Sequence, residues 1–250
     1  MLSKGVSGRA LRLATLVTAP LVVSAVLATT SPTYAAPVLE VASPSAVARK
    51  PAVVDHIKTK DKVFFITIDD GWYRQKALAD WVVKRKIPVT VFLTNQARTT
   101  MSVDHSRYFT KVASFGTVQN HTMTHKSLAW MNTNRKREIC SAQSVYGKSF
   151  GYRPWMLRPP FGDGYFNLHS RAPLIESVAA SCGIEYIVLW NTQVNRNGSL
   201  EYNADHTVHP GDIVLMHFEG DAQANMARLV RRYAAAGLKP ARLENYLPKR

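Results

Sequence analysis

From residue 61 onward, short apolar runs of strand length alternate with stretches whose apolar positions recur at helical spacing. Residues 63–68 hold five apolar side chains interrupted only by Thr67, the pattern of a strand buried on both faces. Residues 74–86 follow with Leu78, Trp81 and Val82 on one helical face, and 89–93 return to a strand pattern. The same alternation predicts helices over 105–114, 128–150, 173–181 and 222–236, and strands over 117–119, 155–157, 184–189 and 213–218. Strands separated by helices pair in parallel through crossover connections, with both sheet faces covered. Six or seven such units imply an α/β barrel, in which reacting groups sit on the loops after the strands' C-terminal ends.

The stretch before residue 61 is different. Residues 36–60 are Ala, Val and Pro with scattered charges and no sustained period, which reads as a tether between a leader and a domain at 61–250. In residues 1–35, Lys4, Arg9 and Arg12 precede an apolar run over 13–27, and Thr33-Tyr34-Ala35 offers a small-residue cleavage site, so this segment is expected to be a secretory signal peptide. A membrane anchor is the competing assignment, disfavoured by Pro20 within the run. The expected product is a secreted, extracytoplasmic monomer with no stable membrane span, associated with the cell wall.

Charge narrows the partners. Thirty-two Lys and Arg against 17 Asp and Glu give a formal +15, and removing the three basic residues of 1–35 leaves +12. The clusters Lys84-Arg85-Lys86, Arg135-Lys136-Arg137 and Arg231-Arg232 lie on predicted helix exteriors without interleaved aromatic residues, so nucleic acid is not the expected partner. Attraction to an anionic wall polymer is the simpler account. Cys140 and Cys182 fall on helices expected to be neighbours, and an exported chain meets oxidising conditions, so a disulfide between them is expected.

The predicted strand ends carry polar residues. Asp69-Asp70-Gly71 ends the first strand; two adjacent carboxylates repel, and a bound cation relieves this, although a helix cap or a solvated turn fits the pair alone as well. His121 and His125, four apart, project together if they share a helical turn, and either a shared ion or core packing fits that spacing. With Asp70 they make a set of two imidazoles and one carboxylate that suits one divalent ion, zinc foremost, with cobalt, iron or nickel as alternatives. Arg158 stands before Pro159-Pro160, and His217 ends the last apolar run. No Gly-x-Ser-x-Gly elbow and no phosphate-binding Gly-x-x-x-x-Gly-Lys loop occurs.

Thr67-Ile68-Asp69-Asp70-Gly71, His121-Thr122-Met123-Thr124-His125, Arg158-Pro159-Pro160-Phe161-Gly162 and Leu215-Met216-His217 resemble, in this order, the motifs of the polysaccharide deacetylase family, the NodB-like carbohydrate esterases of family 4. The resemblance implies a distorted (β/α)7 barrel of NodB-homology type and a metal-dependent hydrolase that removes acetyl groups from N-acetylated sugars of peptidoglycan, chitin-like or related glycans. It implies Asp70, His121 and His125 as metal ligands, Asp69 as general base acting on the metal-activated water, Arg158 as its orienting partner and His217 as general acid. It also implies a backbone amide near Phe161 for the oxyanion, and Leu215 and Trp190 as walls for the acetyl methyl.

One segment departs from the family pattern. Most members carry an Asp after the strand that precedes the general-acid strand, whereas Trp190-Asn191-Thr192-Gln193-Val194-Asn195 has no carboxylate. An Asn oxygen can accept an imidazole N–H but lacks the anion's charge, and the Asp205 carboxylate, folding back from the following loop, is a candidate substitute. Slower turnover, best at lower pH, is the expected consequence. Two rival functions follow: a catalytically weakened glycan-binding pseudoenzyme, or a metal hydrolase of O-acetyl or other C–N bonds.

Overall fold

The computed structural model describes residues 49–165, 172–202 and 205–250; the signal-peptide assignment and the tether up to residue 48 lie outside the described residues. In chain order the first half holds β1 (Ala52–Val54), β2 (Val63–Asp70), α1 (Lys76–Arg85), β3 (Thr90–Leu93), α2 (Asn95–Arg98), β4 (Thr99–Thr100), β5 (Val103–Asp104), α3 (Ser106–Val112) and β6 (Val118–Asn120). There follow α4 (Arg135–Phe150), β7 (Met156–Leu157), α5 (Pro173–Ser181), β8 (Tyr186–Val188), β9 (Thr192–Val194), β10 (Leu200–Tyr202), β11 (Ile213–His217), α6 (Ala222–Ala235) and β12 (Lys239–Pro240).

The main sheet runs β1-β8-β7-β6-β3-β2-β11-β9-β10, and every neighbouring pair is parallel except the β9–β10 hairpin. The sheet curls so that the segment after β1 and the connection between β8 and β9 both reach the start of β11. The Ile57 N–H donates to the Gly211 carbonyl (2.8 Å) and the Asn191 N–H to that of Ile213 (3.2 Å). The result is the distorted (β/α) barrel that the alternating pattern implied.

Strand β2 shows how the sequence builds it. Its even-numbered residues Phe64, Ile66 and Ile68 pack with Leu78, Val82, Met226 and Leu229 of α1 and α6. On the opposite face Phe65 packs with Phe92, Met156, Val188 and Ile213 inside the barrel. Each such side chain contributes about 1.5–3 kcal/mol on burial. Thr67 and Asp69 occupy that inner face too, and both are buried.

Three sequence expectations change. The tether assigned to 36–60 is integrated at its end, because Ala52–Val54 pairs in register with Tyr186–Val188 and Ile57 is buried. The helix expected over 128–150 begins only at Arg135, where the Asn134 side chain accepts from the Arg137 N–H (3.0 Å) and caps it. The β9–β10 hairpin was not expected, although Asn197-Gly198 between its strands is a strong hairpin signal. Cys140 of α4 and Cys182 at the end of α5 are joined by a disulfide. Among the described residues no helix is long and apolar enough to cross a membrane.

Candidate active site

The end of β2 turns sharply. Asp70 has φ 75° and Gly71 φ 108°, and a Cβ on Gly71 would lie 2.7 Å from Leu93 Cδ1, so only glycine fits there. The turn separates two adjacent carboxylates: Asp69 stays on the inner face while Asp70 reaches toward the next loops. A non-glycine residue in this region stores strain, which is tolerated where a site requires the geometry.

Asp69 is held from below by Arg158. The Arg158 side chain is fully buried in the barrel. Its Nη1 donates to Asp69 Oδ1 and Thr67 Oγ1, both at 2.8 Å, its Nε to the Val188 carbonyl (3.0 Å) and its Nη2 to that of Leu189 (2.9 Å). The guanidinium also stacks over Phe92, 4.3 Å from the ring centroid. Burial pulls its pKa down from the ordinary value, while the Asp69 charge and hydrogen bond oppose that. Thr67, which breaks the apolar run of β2, donates in turn to the Val214 carbonyl (2.8 Å).

His121 and His125 do meet Asp70, but not from a helical turn. Residues 121–125 are an irregular loop in which Thr122 (φ 72°) and His125 (φ 56°) are left-handed. Residues that sequence reasoning missed hold this loop. Asn120 Oδ1 accepts from the Thr122 N–H (2.8 Å), while its Nδ2 donates to Gln143 Oε1 (3.0 Å) and the Ile139 carbonyl (3.1 Å). Glu138, buried on α4, accepts from both the Thr124 N–H and its hydroxyl at 2.8 Å. Glu138 follows Arg135-Lys136-Arg137, so in sequence it looks like part of a solvated charged face.

The donor set fits a cation. The ligand atoms of Asp70, His121 and His125 lie within 4.8 Å of one another. His121 Nδ1 is 2.7 Å from the Arg158 carbonyl, which can only accept, so Nδ1 carries a proton and Nε2 is the nitrogen that faces Asp70. Asp70 Oδ1 is buried without a well-aligned hydrogen bond, yet faces His121 Nε2 at 3.4 Å and His125 Nε2 at 3.1 Å. Burial pushes the Asp70 pKa up, but the two imidazoles outweigh that and hold it well below the usual carboxylate range. Burial likewise disfavours protonated His121, while Asp69 and Asp70 pull its pKa above the ordinary value. Three groups competing for shared positive charge are what a divalent ion satisfies.

The other side of the cleft is built by β11. His217 pairs in register with Asp69 on neighbouring strands, which brings the two side by side at the barrel mouth. With Asp70 and the two histidines they line one cleft of about 510 Å³. Phe161, Trp190 and Leu215 line it too, and the Phe161 ring sits 4.7 Å from that of His125. Gln193 and Glu219 are two further lining residues that sequence reasoning did not single out. Asn191 and Asp205, two candidate substitutes for the missing carboxylate, are engaged elsewhere. Asn191 accepts from the Ile213 N–H (3.0 Å) and donates to Asp212 (2.7 Å), closing the barrel seam, and Asp205 pairs with His209 (2.9 Å) at the surface.

The chain resembles known proteins along most of its length. Residues 56–187 match the polysaccharide deacetylase family. A protein of Streptomyces coelicolor, itself uncharacterised, is 38% identical over 206 residues, covering 80% of this chain and 78% of that one. A peptidoglycan N-acetylglucosamine deacetylase superposes with a TM-score of 0.62 at 18% identity, covering 78% of this chain and 92% of that structure. A family 4 carbohydrate esterase pseudoenzyme from Bacillus anthracis also superposes at 0.62, with 16% identity over 80% of this chain and 70% of that structure. Structural likeness at such identity speaks for the shared barrel, and the match over 56–187 speaks for more: the chain belongs to the polysaccharide deacetylase family.

Proposed function

We propose that this protein is a secreted, metal-dependent N-deacetylase of a cell-envelope polysaccharide. The observation that carries this reading is the convergence of Asp70, His121 and His125 beside Asp69, whose own carboxylate is held by the buried Arg158. A divalent ion in that set, with zinc the best match to its nitrogen and oxygen donors, supplies when bound a Lewis acid that polarises the acetamide carbonyl and makes water acidic enough to react near neutral pH.

The chain's residues do the rest. Asp69 Oδ1 is committed to Arg158, which leaves Oδ2 to take the proton of the attacking water as general base. A backbone amide near Phe161 helps hold the developing oxyanion. His217, beside Asp69 on the next strand, delivers a proton to the departing sugar amine. Trp190 and Leu215 wall the space for the acetyl methyl. Export is supported by the Cys140–Cys182 disulfide, which persists in oxidising compartments, and by the basic-then-apolar pattern of 1–35. The strongly basic chain suits an anionic wall.

Acetate release from N-acetylglucosamine oligomers tests this. The wild-type chain with metal releases acetate, chelation stops release and added metal restores it. Asp69→Asn lowers kcat by about 10²–10⁴ while the metal stays bound. Release from O-acetylated oligomers alone would reassign the substrate bond. The missing carboxylate around His217 favours one second reading, a glycan-binding pseudoenzyme; oligomer binding without acetate release by the metal-loaded protein identifies it.

A further inference from the structure

A second cleft, of about 460 Å³, adjoins the first and differs from it in chemistry. Trp72, Tyr73, Arg74 and Gln75 of the loop after β2 form one wall, and Arg196 and Gly220 the other. The two clefts share both loops: Asp70 and Glu219 line the first, while Trp72 and Gly220 line the second. The first cleft carries three carboxylates, from Asp69, Asp70 and Glu219; the second carries two arginines and two aromatic rings and has no acidic lining residue.

Its walls are fixed. Gln75 Nε2 donates to the Gly220 carbonyl (2.7 Å) and Gln75 Oε1 accepts from the Ala222 N–H (3.2 Å), stitching the two loops together. The Arg196 carbonyl accepts from Asn225 Nδ2 (3.1 Å), and a Cβ on Gly220 would lie 2.5 Å from that carbonyl and 3.1 Å from Arg196 Cγ, so glycine permits the close approach. Arg74 binds only carbonyls and a hydroxyl, and the Arg196 guanidinium has no hydrogen-bond or ion-pair partner among the described residues. Neither positive charge is neutralised by a neighbouring carboxylate.

We infer that this cleft binds a carboxylate-bearing sugar next to the N-acetylated unit in the first cleft. Trp72 and Tyr73 offer flat faces to a sugar ring, and Arg196 offers the planar fork that pairs with a carboxylate. The inference deepens the proposed deacetylase reading, on which the assignment of the neighbouring unit rests. Its chemistry is shared by a uronic acid and by a sugar carrying a lactyl ether.

Binding and turnover together test it. Calorimetric titration of the full exported chain uses five probes: a neutral N-acetylglucosamine oligomer, the oligomer alternating with glucuronic acid, the oligomer alternating with the 3-O-lactyl sugar, and the methyl esters of the last two. At low salt, at least one carboxylated oligomer is expected to bind about tenfold more tightly than its ester, about 1.4 kcal/mol. That preference should vanish in Arg196→Gln, persist in part in Arg196→Lys, and shrink at high salt. Which of the two acids shows it identifies the sugar. Equal affinity for acid and ester, or a preference that survives Arg196→Gln, overturns the inference. Acetate release is measured in parallel: its absence from every oligomer overturns the deacetylase reading, while the titration still decides the cleft.

Discussion

The two sides of the active cleft are held in different ways. On one side Asp69, Asp70, His121 and His125 are tied to a buried framework: Arg158 makes four hydrogen bonds, Glu138 makes two, and Asn120 fixes the loop between. On the other side His217, Gln193 and Glu219 line the cleft, and the His217 ring has no hydrogen-bond partner among the described residues. Under the proposed reaction, preorganisation is thus concentrated where an ion and a nucleophile would be positioned, and the His217 side is left to be completed by what binds there.

Breaking the framework from beneath has the largest expected effect. Arg158→Met leaves the Asp69 carboxylate buried without its cation and the Val188 and Leu189 carbonyls without donors. Removing one partner of a buried pair costs about 3–5 kcal/mol, readable as a lower denaturant midpoint with unchanged slope. A loss under about 1 kcal/mol would show that the pair is not the structural centre of this side. A milder break is Glu138→Gln, which places an amide NH₂ against a Thr124 donor. Loss of such an outer contact typically weakens metal binding by about 10–100-fold, and an unchanged affinity would detach Glu138 from the site. The smallest effect is expected on the opposite side. Gln193→Asp puts a carboxylate into the cleft beside the His217 strand, and the basic limb of the pH–rate profile should move up by about one unit. No movement would mean that a charge at 193 does not reach His217.

The same asymmetry governed what was legible from the chain. Strand–helix alternation showed most of the barrel because strands such as β2, β3 and β11 carry nearly continuous apolar runs, and the polar residues that end such runs pointed to the cleft. The histidine pair was visible, but its geometry was not: four-residue spacing suggests a helical turn, whereas the loop achieves convergence through left-handed Thr122 and His125. Glu138 and Asn120 were hidden because their roles depend on which buried atoms face them across α4 and β6, and no local pattern encodes that. The role of Asn191 was hidden for a similar reason. Its amide is used up at the seam between β8 and β11, which becomes apparent only once the sheet curls.

The most direct measurement is metal stoichiometry and affinity in the wild-type chain against Asp70→Asn and His125→Ala, with near-native thermal stability of the metal-free forms as the control for folding. One divalent ion per chain is expected in the wild type, with affinity falling at least about 100-fold in each variant, beyond the loss typical of an outer contact. Retention of the ion at wild-type affinity in both variants would place the metal elsewhere and contradict the account.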